Sequence, residues 1–164
     1  MALLNDLSSV GAYVKSALPS SVQLKYEVPT QPTKDNVVVR MLTTDTESET
    51  AYHYRVDRTY QVVIYGADSP TVIERMDAVS RKVNDRTTLI PIAGSLRFIR
   101  TNGFGYGAAF RTESGLWACA GVLQTEVREA RTQEQYEKIM HVYPRYELRI
   151  PVGDNPAFLI TGEE

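Results

Sequence analysis

Residues 52–65, YHYRVDRTYQVVIY, favour only one conformation, a long strand. Tyr, Val, Ile and Thr dominate the run, and β-branched and aromatic side chains suit a pleated, half-buried surface. Gly66 closes it. Ser69 is a good helix N-cap, and Pro70 falls at the first helical position, where its missing N–H costs nothing. Val72, Ile73, Met76, Val79 and Val83 then recur at helical spacing. This predicts a helix over residues 69–84, packed on a sheet through that face.

The flanking sequence supplies the rest of an α+β, mainly antiparallel fold. Leu3, Leu4, Leu7, Val10, Val14 and Leu18 predict an N-terminal helix over 2–17, stopped by Pro19. Val22, Leu24, Tyr26 and Val28 alternate with polar residues, the pattern of a strand buried on one side. Residues 37–42 are apolar enough for a second strand, whereas 43–50, TTDTESET, reads as an exposed loop or hairpin tip. Further strands are expected over 89–92, 96–100, 104–110 and 116–127, with turns at 101–103 and 113–115. A capping box, Thr132 to Gln135, predicts a short helix carrying Tyr136, Ile139 and Met140, and alternation from Tyr146 to Val152 predicts a closing strand. At 164 residues the chain suits one domain, 1–164, with the polar loop 43–51 and the extension 132–164 as elaborations.

NGFGYGAAF, residues 102–110, lies near two known motifs. Gly103, Gly105 and Ala108 spell the dinucleotide-binding fingerprint, while Gly103, Phe104, Gly105 and Tyr106 copy the start of the aromatic signature of RNA-recognition domains. A bound pyrophosphate needs a helix opening at the last small residue, and AFRTESG leaves no room for one. An RNA module stacking bases on Phe104 and Tyr106 has a strand, a helix and a strand in the right order. Against it stand Gly107 in place of a β-branched residue, one extra residue before Phe110, and a strand where a second helix is required. A third reading is a strand beside a tight turn whose aromatics pack on a core or on a neighbouring subunit.

Catalytic and cofactor chemistry find little support. No nucleophile elbow, phosphate loop or zinc-protease motif occurs. Cys119 is the single cysteine, set among Leu116, Trp117, Ala118 and Ala120, and reads as a small core side chain; pairing it with His53 or His141 for catalysis is a minimal alternative. Asp45, Glu47 and Glu49 alternate along a polar segment without the glycine-turned frame of a calcium loop. The formal charge of −2 offers no basic excess for gripping polynucleotide. The expectations are therefore no enzyme, no cofactor, no metal and, without a signal-like leader or an apolar span, no membrane.

Three segments taken together, DRTYQVVIYGADSPTVIERMDAVSRKV, IPIAGSLRFIRTNGFGYGAAF and GLWACAGVLQTEVREAR, resemble the tail, or neck, terminator proteins of tailed bacteriophages. The likeness lies in a long strand carrying Tyr-x-Val-x-x-Tyr-Gly, a helix begun by Ser-Pro, and long strands ending in Thr-Glu-Val-Arg, and it spans roughly residues 1–130. It implies a structural virion protein assembled in the host cytoplasm. Such proteins form a ring, usually of six copies, that caps the tail tube, meets the head–tail connector protein and leaves a channel for DNA. The candidate contact residues are Asp45, Glu47 and Glu49 on the polar segment, and Phe104, Tyr106 and Phe110 on the glycine-flexed one. Ten tyrosines suit contact surfaces, since each supplies apolar area with a polar tip.

Overall fold

A computed structural model describes residues 2–85 and 89–133, and every element in it belongs to one compact unit, Met1–Gln133. The expected helix near Tyr136 and strand near Leu148 lie outside the described residues, as does His141. In chain order the elements are α1 (Ala2–Lys15), β1 (Gln23–Lys25), β2 (Asn36–Ser48), β3 (His53–Gly66), α2 (Ser69–Asn84), β4 (Leu89–Pro91), β5 (Phe98–Tyr106), β6 (Phe110–Arg111) and β7 (Trp117–Ala130).

The fold is α+β with two helices on a mixed, mostly antiparallel sheet ordered β1-β2-β3-β7-β5-β4. The exception is β1, which runs parallel to β2 and is three residues long. The expected longer strand through Val28 is absent because Tyr26 and Val28 stand exposed beside Pro29. The long strand β3 is central, pairing with β2 on one side and along its whole length with β7 on the other.

Side chains alternate across β3. Tyr60, Val62 and Ile64 join the main core with the helices, while Val63 and Tyr65 on the opposite face form a smaller cluster with Val38 and Ala118. Helix α2 contributes Val72, Met76, Val79 and Val83, spaced by four, three and four residues, to the main core. Fully burying side chains of this size contributes about 1.5–3 kcal/mol each. Ile73 is 41% exposed: the buried stripe is one residue wide, narrower than expected. The cap also shifts by one. Asp68, not Ser69, takes the N-cap, accepting the Thr71 N–H at 2.9 Å and the Thr71 hydroxyl at 3.0 Å, and these bonds hold its carboxyl below the usual value.

Two more expectations change. Residues 43–48 are strand rather than loop, since β2 continues beside β3 to the Ser48–Tyr54 pair. Residues 101–103 are not a turn either: β5 passes through them with a register shift between Thr101 and Gly103, a bulge at Asn102. The chain then breaks at 107–109 and resumes as β6, still alongside β7 and in the same direction as β5. The turn at 113–115 stands where expected, with Gly115 at a φ of 82° and Thr112 bonded to Leu116 at 2.8 Å.

Candidate assembly interface

The two segments singled out for contact sit on strands at opposite sides of the sheet. On β2, burial stops after Val39, and every residue from Leu42 to Ser48 is exposed. A bulge at Leu42 places Thr43, Asp45 and Glu47 on the face away from the helices, opposite Thr59, Asp57 and Arg55. Arg55 donates to both Glu47 and Asp57. Asp45 accepts only the N–H of its neighbour Thr46 among the described hydrogen bonds, at 2.8 Å.

Glu49 belongs to the hairpin tip. The Thr50 hydroxyl accepts the N–H groups of Tyr52 and His53, which closes the turn. Glu49 accepts two bonds from Arg128, at 2.8 and 3.2 Å, and lies 3.4 Å from the His53 ring. The Arg128 bonds hold its carboxyl below the ordinary value, aided by the charges of Arg128, His53 and Arg55. The tip is thus tied to β7 rather than free.

On β5, Phe104 and Tyr106 pair with Leu123 and Gly121 and therefore point to the face that carries the helices. Phe104 packs against the core; a Cβ placed on Gly121 would meet its ring at 2.6 Å, so the missing side chain of Gly121 is what seats it. Tyr106 stacks obliquely on Phe104, centroids 6.1 Å apart, and is 39% exposed; Phe110 is 50% exposed. This placement weakens the RNA reading. Base stacking on a sheet uses aromatics on its open face, and here Gly103 and Gly105 occupy that face.

The pairing of Cys119 with His53 fails on distance, while the pairing with His141 lies outside the described residues. Cys119 pairs with Ile64 and is buried, its thiol donating to the Gly107 carbonyl at 3.3 Å, while burial pushes its pKa up. His53 is at the other end of β3, about 36 Å away at 3.3 Å per residue. Among the described residues no three His, Cys, Asp or Glu side chains gather in a metal-binding group. No described helix is long and apolar enough to cross a membrane.

The sequence reading missed one constellation. Asp6 of α1 forms an ion pair with Arg58 of β3, with side chains 0% and 7% exposed. Arg58 lies 3.7 Å from Glu129, which Arg97 approaches to 3.3 Å and to which the Tyr54 hydroxyl donates at 2.8 Å. Burial raises the Glu129 pKa, but the Tyr54 and Arg97 bonds and the charges of Arg97 and Arg58 outweigh it and leave the group below its usual value.

No protein-family model matches this chain, and no curated protein matches it. Among solved structures, the chain is similar to one in a structure titled "Virion of native gene transfer agent (GTA) particle", at 14% identity and a TM-score of 0.39, over 71% of this chain and 84% of that one.

Proposed function

We propose that the chain is a structural virion protein, a tail terminator whose copies form a ring, six by the resemblance. The ring caps the tail tube, meets the head–tail connector protein and leaves a lumen through which DNA passes without sequence-specific contact. The observation that carries this reading is the distal half of β2. From Leu42 to Ser48 the strand is exposed, and among the described residues only β3 pairs with it there. An exposed strand edge is a template for another chain, and a strand that buries so little gains its reason to persist from an assembly.

Two further features agree. Tyr106, Phe110 and Leu42 present large apolar groups on or beside strand edges, a composition suited to contact. The net charge of −2 suits a channel that must not hold DNA. The site chemistry needed is mechanical, with no enzymatic step, and the protein's place is the tail–neck junction of a particle assembled in the host cytoplasm.

The test is electron microscopy of purified particles with the chain labelled. Label at the head-proximal end of the tail tube, in a closed ring, is the expected result; label elsewhere on the particle, or none, overturns the assignment. Binding of single-stranded RNA at physiological salt by the wild-type chain, lost in Tyr106→Ala, would instead favour the RNA module.

A further inference from the structure

The ring reading leaves open how one copy holds the next, and the sheet itself points to an answer. Both strands that flank the β3–β7 pair have one partly unpaired edge among the described residues. Strand β1 covers β2 only at residues 36–38, and β4 covers β5 only at 98–100. The Gly107 N–H donates to Ala120 on β7. Backbone groups alternate in direction along a strand, so Phe104 and Tyr106 aim their N–H and C=O groups away from β7, to the open edge.

We propose that the open edge of β5, residues 103–107, accepts the open edge of β2, around residues 40–44, from a second copy of this chain, extending the sheet from one subunit into the next. This rests on the ring reading above and gives that ring its joint.

Direction and height both allow it. Strand β2 is antiparallel to β3, β3 to β7 and β7 to β5, so β5 and β2 run in opposite senses. Rotation about an axis along the strands preserves those senses and brings β2 of the next copy antiparallel to β5. The registers link Gly103 to Gln124, Gln124 to Thr59 and Thr59 to Thr43, which sets Gly103 and Thr43 level across the sheet. The contact joins two different surfaces, so its repetition gives no two-fold pair, and it closes into a ring where the rotation from copy to copy closes.

Charge and shape complement each other. Between Met41 and Tyr54 the sequence has Asp45, Glu47 and Glu49 and no Lys or Arg; from Leu89 to Thr112 it has Arg97, Arg100 and Arg111 and no acid. Of these, Asp45 has only a backbone bond and Arg111 only the Gly115 carbonyl among the described bonds. Gly105 and Gly107 have open space where a Cβ would stand, and Gly103 only a 3.9 Å contact, so nothing in the described packing requires glycine there. Gly121 on the other face has the seated Phe104 ring. The three open glycines are the same seat without its occupant, and the exposed Leu42 of the incoming β2 is of a size to fill it. A strand pair this short buries less than the roughly 800 Å² per partner of a stable contact, and Tyr106 and Phe110 flank it.

The test is cysteine cross-linking in assembled particles. Thr43→Cys is combined in turn with Gly103→Cys, Gly105→Cys and Gly107→Cys, covering three registers. Every variant also carries Cys119→Ala, which removes the native thiol beside Gly107. Within one chain β2 and β5 are three strand spacings apart, about 14 Å, too far for a disulfide, so every covalent product joins copies. The expected result is a ladder from dimer up to the full ring in one combination and not in its single variants. Gly105→Val should keep the wild-type melting temperature and lose the ring. Labelled rings that give no ladder in any of the three combinations, a product that stops at dimer, or rings formed normally by Gly105→Val overturn the strand joint while leaving the ring. Particles without a ring overturn both.

Discussion

Asp6 and Arg58, 52 residues apart in the chain, meet in the interior as an ion pair that ties α1 to β3. Glu129 and Arg97 extend the pair into a chain of alternating charge. Taking charges out of water costs several kcal/mol per ion, so the arrangement is stable only while each member keeps its partner.

Asp6→Ala should therefore destabilise the protein by about 3–5 kcal/mol, leaving Arg58 buried and unpaired. Replacing both at once, Asp6→Leu with Arg58→Met, should recover most of that loss. Urea melts of the single and double variants check this; a single variant within 1 kcal/mol of wild type would mean that water reaches Arg58.

The same residues show what sequence reasoning can see. Val10 and Val14 were legible as a helical stripe, and Asp6 continues it at four-residue spacing, yet its charge reads as solvent-facing. Arg58 shares the inward alternation of Tyr60, Val62 and Ile64. The signal was parity, and it becomes interpretable only when two charges of opposite sign break two apolar patterns. The strand from 53 to 66, α2 and the turn at Gly115 were legible because local propensity and burial agree there. Strand character in TTDTESET was not, because pairing with β3 overrides a polar composition, and the bulge at Asn102 looked like a turn for the same reason.

Helix α2 offers a contrast between neighbouring positions. Met76→Asp should unfold the domain, since a carboxylate would sit in the main core beside Val72 and Val79. Ile73→Asp should change stability by less than about 1 kcal/mol, as the residue is exposed. Paired thermal melts decide; equal losses would place both on the core.

Gly121→Ala should cost about 1–3 kcal/mol by pushing the Phe104 ring from its seat. The cost should fall when Phe104 is shortened to Leu in the same chain. Denaturant midpoints of the two single variants and the double variant measure the coupling, and additive losses would show that ring and glycine do not interact.

Acid should weaken the long hairpin first. Glu129 and Glu49 have folded pKa values below the 4.5 of the free side chain, so the folded state binds fewer protons near that pH. Their contribution is complete above about pH 4.5 and is lost as pH falls through the lowered values. Stability measured against pH should drop below 4.5 with a smaller slope in Glu129→Gln. An unchanged slope would remove Glu129 from the acid transition.

Cys119 should resist thiol reagents in the native protein, since it is buried and its pKa is raised. Its labelling rate should rise with urea in step with global unfolding, and Cys119→Ala should leave particle assembly intact. Rapid labelling without unfolding would reveal an accessible thiol.

The bulges at Leu42 and Asn102 carry a consequence for any change in chain length. Above Leu42 the odd-numbered residues Val37, Val39 and Met41 pack toward the helices; below it the odd-numbered Thr43, Asp45 and Glu47 face away. Across Asn102 the phase reverses likewise, from Ile99 to Phe104. Each bulge is a phase marker in a two-letter rhythm. Deleting Leu42 or Asn102 itself would restore simple alternation and leave every residue beyond it opposite its present partner and on its present face. Deleting a residue farther along the strand would instead exchange the faces beyond the cut while leaving composition, charge and length of strand almost untouched. Two chains that each lack one letter, a few positions apart, would look alike in an alignment, and one of them would present opposite surfaces.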